Sequence, residues 1–263
     1  MVGCGMRFVR IQTSKGPSFA RLGTDGRAEL FSGAPYIEGS VPTGETIAVT
    51  PALLLAPVTP GKILCVGRNY AAHAKELGNE VPKEPLLFLK PTSSLLRPFG
   101  TIVIPAVSER VEHEAELAVV IGRTIKNATP KEALSAVFGY TCAGDITARD
   151  LQKRDGQFTR AKGFDTFCPV GPHVETECDP SDLRVQCFVG DTNRQDGRTK
   201  DMVFPVPELL SYMSRMMTLE AGDLILTGTP EGVGPLVPGD SLRIEIEKIG
   251  VLHTTITAAP VSA

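Results

Sequence analysis

Carboxylates at alternate positions are the first feature of this chain that suggests chemistry. The stretch VEHEAELAVVIG, Val111 to Gly122, carries Glu112, Glu114 and Glu116 and then turns apolar. In a strand every second side chain points to the same face, so the three glutamates share one side. Further on, in GYTCAGDITARD, Asp145 follows a short apolar stretch and precedes a helix start. A carboxylate at the end of a strand is placed to join Glu114 and Glu116. Three ionised carboxylates in one pocket repel one another, and burial adds a desolvation cost. A divalent cation removes both problems, and an all-oxygen donor set selects a hard ion, Mg2+ or Mn2+. Three carboxylates leave about three of six octahedral positions for water or substrate, the open arrangement a catalytic metal needs. The alternative is an edge strand whose glutamates face water. The apolar run LAVVIG speaks for burial on both faces without deciding between the two.

Other pairs of residues have spacing that brings them together. His73 and Glu76 lie three apart in NYAAHAKELG and meet on one face of a helix. A carboxylate beside an imidazole raises its basicity and fixes its tautomer, so the dyad can take a proton from water. A solvent-facing pair on an amphipathic helix is the plainer reading. Arg149 and Gln152 share a face of the short helix that follows Asp145, and such a pair binds a carboxylate or carbonyl. Lys162, in RAKGFDTFCPVG, taken alone reads as a surface lysine. LTGTPEGVGP, Leu226 to Pro235, is glycine-rich but lacks the Lys-Ser/Thr of a phosphate loop. Its Thr229 hydroxyl and backbone amides suit a carboxylate; turn punctuation is the other reading.

These residues need elements to carry them. The chain has 263 residues, enough for one large domain with a small extra unit, and 42% hydrophobic residues with a mean hydropathy of +0.03 give it a core. A net charge of −3 offers no electrostatic case for nucleic acid. No apolar run approaches the ~20 residues of a membrane helix, and MVGCGMRFVRIQ lacks the apolar segment of a signal peptide. Cys4, Cys65, Cys142, Cys168, Cys178 and Cys187 form no C-x-x-C pair and read as small buried residues in a reducing compartment. A cytoplasmic location is therefore expected.

Residues 1–57 read as short strands broken by turns (MRFVRIQ, PSFARLG, AELF), and VTPALLLAPVTPGK marks a boundary into a unit at 58–263. KILCVG, EPLLFLKP, VEHEAELAVVIG, LILTGTP and SLRIEIEKI read as strands. Helices are expected at NYAAHAKELG, capped by Asn69 and stopped by Gly78, and at TPKEALSAVFG, with a Thr129/Glu132 capping box, Pro130 in the first turn and Gly139 as stop. TARDLQ repeats the capping pattern with Thr147 and Asp150. VPELLSYMSRMMTLEAGD is a third helix by its three-and-four spacing; its methionines and leucines suit a core or an interface. Strands dominate without β-α-β-α alternation, which disfavours a doubly wound parallel sheet.

Taken in order, CVGRNYAAHAKELG, PLLFLKP, VEHEAELAVVIG, GYTCAGDITARDLQ, AKGFDTFCPVGP and LTGTPEGVGPLVPGD resemble the fumarylacetoacetate hydrolase family, from about Lys62 to Ile249, roughly three quarters of the chain. The resemblance is closest to the branch with acylpyruvases, oxaloacetate decarboxylases and homoprotocatechuate-pathway isomerases such as 2-hydroxyhepta-2,4-diene-1,7-dioate isomerase. It implies an α+β fold, a large mixed β-sheet curled into a β-sandwich roll with a small N-terminal β unit, and a homodimer. It implies Glu114, Glu116 and Asp145 as ligands of Mg2+ or Mn2+, His73 and Glu76 as a water-activating dyad, and Lys162 as the lysine near the reacting oxygen. Arg68, Arg149, Gln152 and Thr229 then match substrate-binding positions. Many relatives have a second histidine where this chain has Glu112, which implies altered surroundings of the metal and not its loss. The implied substrate is a small 2-oxo acid whose C3–C4 bond breaks through a metal-stabilised pyruvate enolate, by acylpyruvate hydrolysis or oxaloacetate decarboxylation. Isomerisation or hydration of 2-hydroxy-dienoates, and metal-dependent binding without catalysis, are the rival readings. The segment Gly78 to Glu84 is a candidate lid.

Overall fold

A computed structural model describes residues 6–260; Cys4 lies outside them. The fold is α+β, a β-sandwich roll built on strands, with short helices at its margins. The larger sheet runs Pro42–Ala48, Arg27–Phe31, Gly16–Leu22, Arg7–Thr13, Cys168–Glu175, Val137–Gly144, Ala115–Ile121, Leu224–Leu226, Ile63–Gly67, Leu86–Lys90. All neighbours in that order are antiparallel except Leu224–Leu226 and Ile63–Gly67, which are parallel. A five-stranded sheet, Thr192–Arg198, Arg184–Val189, Ser241–Ile246, Gly250–Ala258, Thr101–Ile104, packs against its middle.

Strand Ala115–Ile121 shows why the sheets close on each other. All seven residues are buried. Leu117, Val119 and Ile121 enter a core shared with Val185, Cys187, Ile244 and Leu252 of the smaller sheet. Ala118 and Val120, on the other face, pack with Ile63, Cys65, Leu224 and Leu226. A strand buried on both faces reads as a continuous apolar run, as this one does. The N-terminal strands have a cluster of their own, Val9, Ile11, Ala20, Ala28 and Leu54. They join the larger sheet through the short pairing of Arg7 with Glu175 and Phe8 with Val174.

Four local expectations are corrected. The glutamate strand is not continuous: it stops at His113 and resumes at Ala115, and its first part pairs instead with Thr147–Ala148 and Gly234–Pro235. Asn69 does not cap the helix Ala71–Glu76. Its carboxamide is fully buried and bonds Phe204 in both directions and the Thr227 carbonyl. The helix at Pro130 ends at Leu134, because Val137 and Gly139 are drawn into sheet pairing with Ile121 and Val120, with Phe138 bulged out between them. Thr147 and Asp150 cap nothing: the first bonds the Asp145 carbonyl, the second reaches Ser108 Oγ and Glu109 N.

Other local readings hold. The Thr129/Glu132 capping box forms. Gly78 adopts φ +69° where the Ala71–Glu76 helix stops, a conformation that costs glycine least. Helix Val206–Met216 turns Leu209, Leu210 and Met213 into the core while Met216 stays exposed. No helix among the described residues is long and apolar enough to cross a membrane.

The capping box satisfies two orphan amides on a five-residue helix. Thr129→Ala should cost about 1 kcal/mol, read as a lower urea midpoint with unchanged slope; an unchanged midpoint would show the box to be idle.

Candidate active site

The site forms where the glutamate strand breaks. Glu114 occupies the break, Glu116 is the second residue of Ala115–Ile121, and Asp145 directly follows Val137–Gly144, whose Gly144 pairs with Ala115. The Asp145 amide donates to the Glu114 carbonyl at 2.9 Å, fastening the two strand ends together. One carboxylate oxygen from each of Glu114, Glu116 and Asp145 lies within 4.8 Å of the others, and all three residues are buried. The reading of these glutamates as solvent-facing is thereby excluded.

Their partners are fixed by the fold. Lys162, near the end of helix Phe158–Lys162, donates from Nζ to Glu114 Oε2 at 2.7 Å and to Asp145 Oδ2 at 2.6 Å. Lys90, the last residue of strand Leu86–Lys90, donates to Asp145 Oδ1 at 2.6 Å. Arg149 opens the next helix and spreads its guanidinium over Glu112 (Nε to Oε2, 2.7 Å), Glu114 (2.5 Å) and Gln152 Oε1 (2.6 Å). Glu116 forms no ion pair among the described residues; Gly228 N–H donates to its Oε2 at 2.6 Å. Lys90 was not singled out in the sequence. Its signal is slight, a lone lysine closing the apolar run LLFL before a proline.

Charge imbalance follows from this geometry. Glu114, Glu116 and Asp145 are buried beside Lys90, Arg149 and Lys162, and Glu112 behind them is shared by Arg149 and Arg110, yet none of these cations pairs with Glu116. Burial pushes the Glu114 carboxyl up, but Lys162 and Arg149 overcome it and hold the group well below the usual range. Burial raises Glu116, and the neighbouring Asp145 and Glu114 raise it further, well above an ordinary carboxylate. Burial opposes the charge on Lys162, yet Asp145 and Glu114 keep its pKa above the usual lysine value. Glu112 is lowered, Arg149 outweighing its burial. The missing positive charge is therefore located at Glu116, between carboxylates already oriented by fixed donors. An all-oxygen, anion-rich, buried triad fits a hard divalent cation, and these three residues can hold one.

The triad lines a cavity of about 480 Å³ that also meets His73, Glu76, Arg68, Arg149, Gln152, Lys162 and Thr229. Every site residue expected from the sequence thus reaches one cavity, joined by Asn79 of the candidate lid segment Gly78 to Glu84 and by Phe88 and Phe158, which were not foreseen. His73 is buried, its Nδ1 3.4 Å from Glu76 Oε2, and the Gly232 N–H donates to both Glu76 oxygens. Arg68 sits at φ +57°, uncommon for a residue with a side chain, and makes no ion pair among the described residues. Thr229 Oγ1 donates to the Ala115 carbonyl at 2.8 Å and accepts from Gln195, so its proton is committed to the backbone. Arg149 uses three of its five N–H donors on Glu112, Glu114 and Gln152, and Glu112 is anchored behind the triad by Arg149 and Arg110.

Burial and the neighbouring carboxylates raise the Glu116 pKa, so protons compete with a cation there and Mn2+ affinity should rise with pH. For an acid raised in the folded state, stability is lost as pH climbs from the unfolded value, about 4.3, toward the folded one. Glu116→Gln keeps the shape and removes the charge. The metal-free variant should melt no lower than the parent at neutral pH and gain no melting temperature from Mn2+, where the parent gains about 2.7 kcal/mol at a hundredfold excess over Kd. Equal Mn2+ stabilisation of both proteins, followed by thermal melting, would refute the site.

With this geometry in place, comparisons with known proteins are specific. Residues 62–257 match the family model described as fumarylacetoacetate (FAA) hydrolase C-terminal, and residues 6–57 match one described as Rv2993c-like, N-terminal. The chain is 52% identical over 191 residues to "Oxaloacetate tautomerase FAHD1, mitochondrial" of Arabidopsis thaliana, covering 70% of this chain and 86% of that protein. It is 48% identical over 195 residues to "Oxaloacetate decarboxylase, mitochondrial" of Dictyostelium discoideum, covering 72% and 89%. The structure of 2-hydroxyhepta-2,4-diene-1,7-dioate isomerase from Mycobacterium marinum superposes with a TM-score of 0.88 at 39% identity, covering 97% of this chain and all of that one. The chain belongs to the fumarylacetoacetate hydrolase family.

Proposed function

We propose that this protein is a Mg2+- or Mn2+-dependent enzyme that breaks the C3–C4 bond of a small 2-oxo acid, by acylpyruvate hydrolysis, oxaloacetate decarboxylation or both. The observation that carries the reading is the convergence of the carboxylate triad, the His73/Glu76 dyad and the unpaired Arg68 on one cavity sized for a small ligand. Residues 58–263 form the catalytic unit in this proposal and 1–57 a small N-terminal unit. A homodimer in the cytoplasm fits the family resemblance, and the unpaired Cys65, Cys142, Cys168, Cys178 and Cys187 fit a reducing compartment.

Arg68 takes the substrate carboxylate at the cavity wall, since its guanidinium has no protein carboxylate to satisfy. Glu114, Glu116 and Asp145 would hold the divalent cation, which supplies positive charge for the anion developing on the 2-oxo oxygen. Lys162 has three N–H donors and spends two on Glu114 and Asp145, leaving one for that oxygen. Arg149 fixes the orientation of Glu114 and, with Gln152, forms the adjoining wall. Glu76, pinned by the Gly232 N–H, faces His73 Nδ1 and leaves Nε2 as the base. For an acylpyruvate, His73 Nε2 removes a proton from water and the water oxygen bonds to C4. The C3–C4 bond then breaks, its electron pair passes toward C3 and the 2-oxo group, and C3 takes up a proton. The products are pyruvate and a carboxylate. Oxaloacetate loses carbon dioxide from C4 and needs no water.

The names of the Arabidopsis and M. marinum relatives favour a second reading, proton transfer at C3 with every C–C bond intact. His73 would then take the proton from carbon. Pyruvate release separates the two readings.

His73→Ala should lower acetylpyruvate hydrolysis about a hundredfold or more while sparing oxaloacetate decarboxylation; equal losses in a Mg2+-supplemented pyruvate-release assay would remove the water-activating role. Arg68→Ala should raise KM for either acid about tenfold with little change in kcat, and an unchanged KM would take substrate binding away from Arg68.

A further inference from the structure

The hairpin strand Thr192–Arg198 is mostly open to solvent, yet its Gln195 is 1% exposed. A lone buried amide must find partners, and Gln195 finds four. Its Oε1 accepts from Ala115 N at 3.0 Å and from His113 Nδ1 at 3.2 Å. Its Nε2 donates to Thr229 Oγ1 at 2.7 Å and to the Pro230 carbonyl at 2.8 Å. Thr229 Oγ1 in turn donates to the Ala115 carbonyl at 2.8 Å. Ala115 stands between Glu114 and Glu116. Both its backbone N–H and its C=O are thus gripped by one ring of side chains, at the point where the strand is interrupted.

The same contacts reach the loop that serves the other half of the site. Gly228 N–H holds Glu116 and Gly232 N–H holds Glu76. Gly232, at φ +97°, lies so close to the hairpin that a Cβ there would collide with the Arg194 carbonyl, and one on Gly197 would collide with Pro230. The hairpin and the loop are therefore packed directly on each other, with Gln195 as the polar pin between them.

We infer that Gln195 is a positioning residue of the carboxylate site: by fixing the Ala115 peptide against the Thr227–Gly232 loop it sets the spacing of the Glu114 and Glu116 carboxylates, and hence the affinity for a divalent cation. The inference rests on the proposed metal-dependent function. Gln195 itself touches neither cation nor substrate; it acts through Ala115 and Thr229.

The test is Mn2+ titration of the metal-free full chain by calorimetry, with thermal melting in parallel. Gln195→Met keeps the length of the side chain and removes its four hydrogen bonds; its Kd for Mn2+ should rise about tenfold or more. Thr229→Val removes the hydroxyl from the same ring and should act in the same direction. Because both act through one peptide, the double variant should bind about as weakly as the weaker single one. Gln195→Met that melts lower but binds Mn2+ within about twofold of the parent would overturn the inference, and so would losses that add. Should Gln195→Met fail to fold, Thr229→Val carries the test, and an unchanged Kd there overturns it. A parent that binds no Mn2+, or a Glu116→Gln variant that binds as tightly as the parent, would instead refute the metal reading itself.

Discussion

Repulsion among buried carboxylates is the constraint around which this structure is arranged. Glu114, Glu116 and Asp145, all buried, bring oxygens within 4.8 Å of one another at the wall of a cavity. Such an arrangement persists only if cations and hydrogen bonds from the surrounding elements offset it. Lys162 bridges two of the three, Lys90 takes Asp145, and Arg149 joins Glu114 to Glu112. Glu116 alone is left with a backbone amide. The deficit is local, at a triad whose geometry could hold a metal ion.

The fold meets this constraint by interrupting its central strand. Were Val111–Ile121 continuous, Glu114 would sit in a regular ladder with its backbone tied to neighbouring strands. The break instead turns 111–113 toward Thr147–Ala148 and leaves Glu114 facing Asp145. The backbone groups freed at Ala115 are satisfied by side chains, Gln195 and Thr229, in place of a strand. Rigid cores on both faces of Ala115–Ile121 hold the ends of the break still, and the glycine-rich loop at 227–232 brings amides to Glu116 and Glu76 together.

Two residues of the cavity wall also bond the carboxylate strand itself. Arg149 commits its guanidinium to protein acceptors, and the Thr229 hydroxyl proton goes to the backbone. Arg68 lines the cavity without a carboxylate partner among the described residues, held at a positive φ that the surrounding structure must sustain.

Residue type and alternation were enough to bring Glu114 and Glu116 to one cavity, although the strand breaks between them and Glu112 falls behind, and period three to pair His73 with Glu76 and Arg149 with Gln152, because these relations are local and set by backbone geometry. The apolar run after Glu116 announced a strand buried on both faces. The sequence pattern also carried the family resemblance, and with it the roll. Tertiary structure alone decided the rest. Lys90, 55 positions from Asp145, and Gln195, 80 from Ala115, become neighbours only when strands distant in sequence pair. The helix after Pro130 and the caps expected of Asn69 and Thr147 yielded to sheet pairing and buried polar contacts that no local propensity encodes. Spacing determined which side chains could face one another; long-range pairing determined which charges they met, and therefore which carboxylate was left needing a cation.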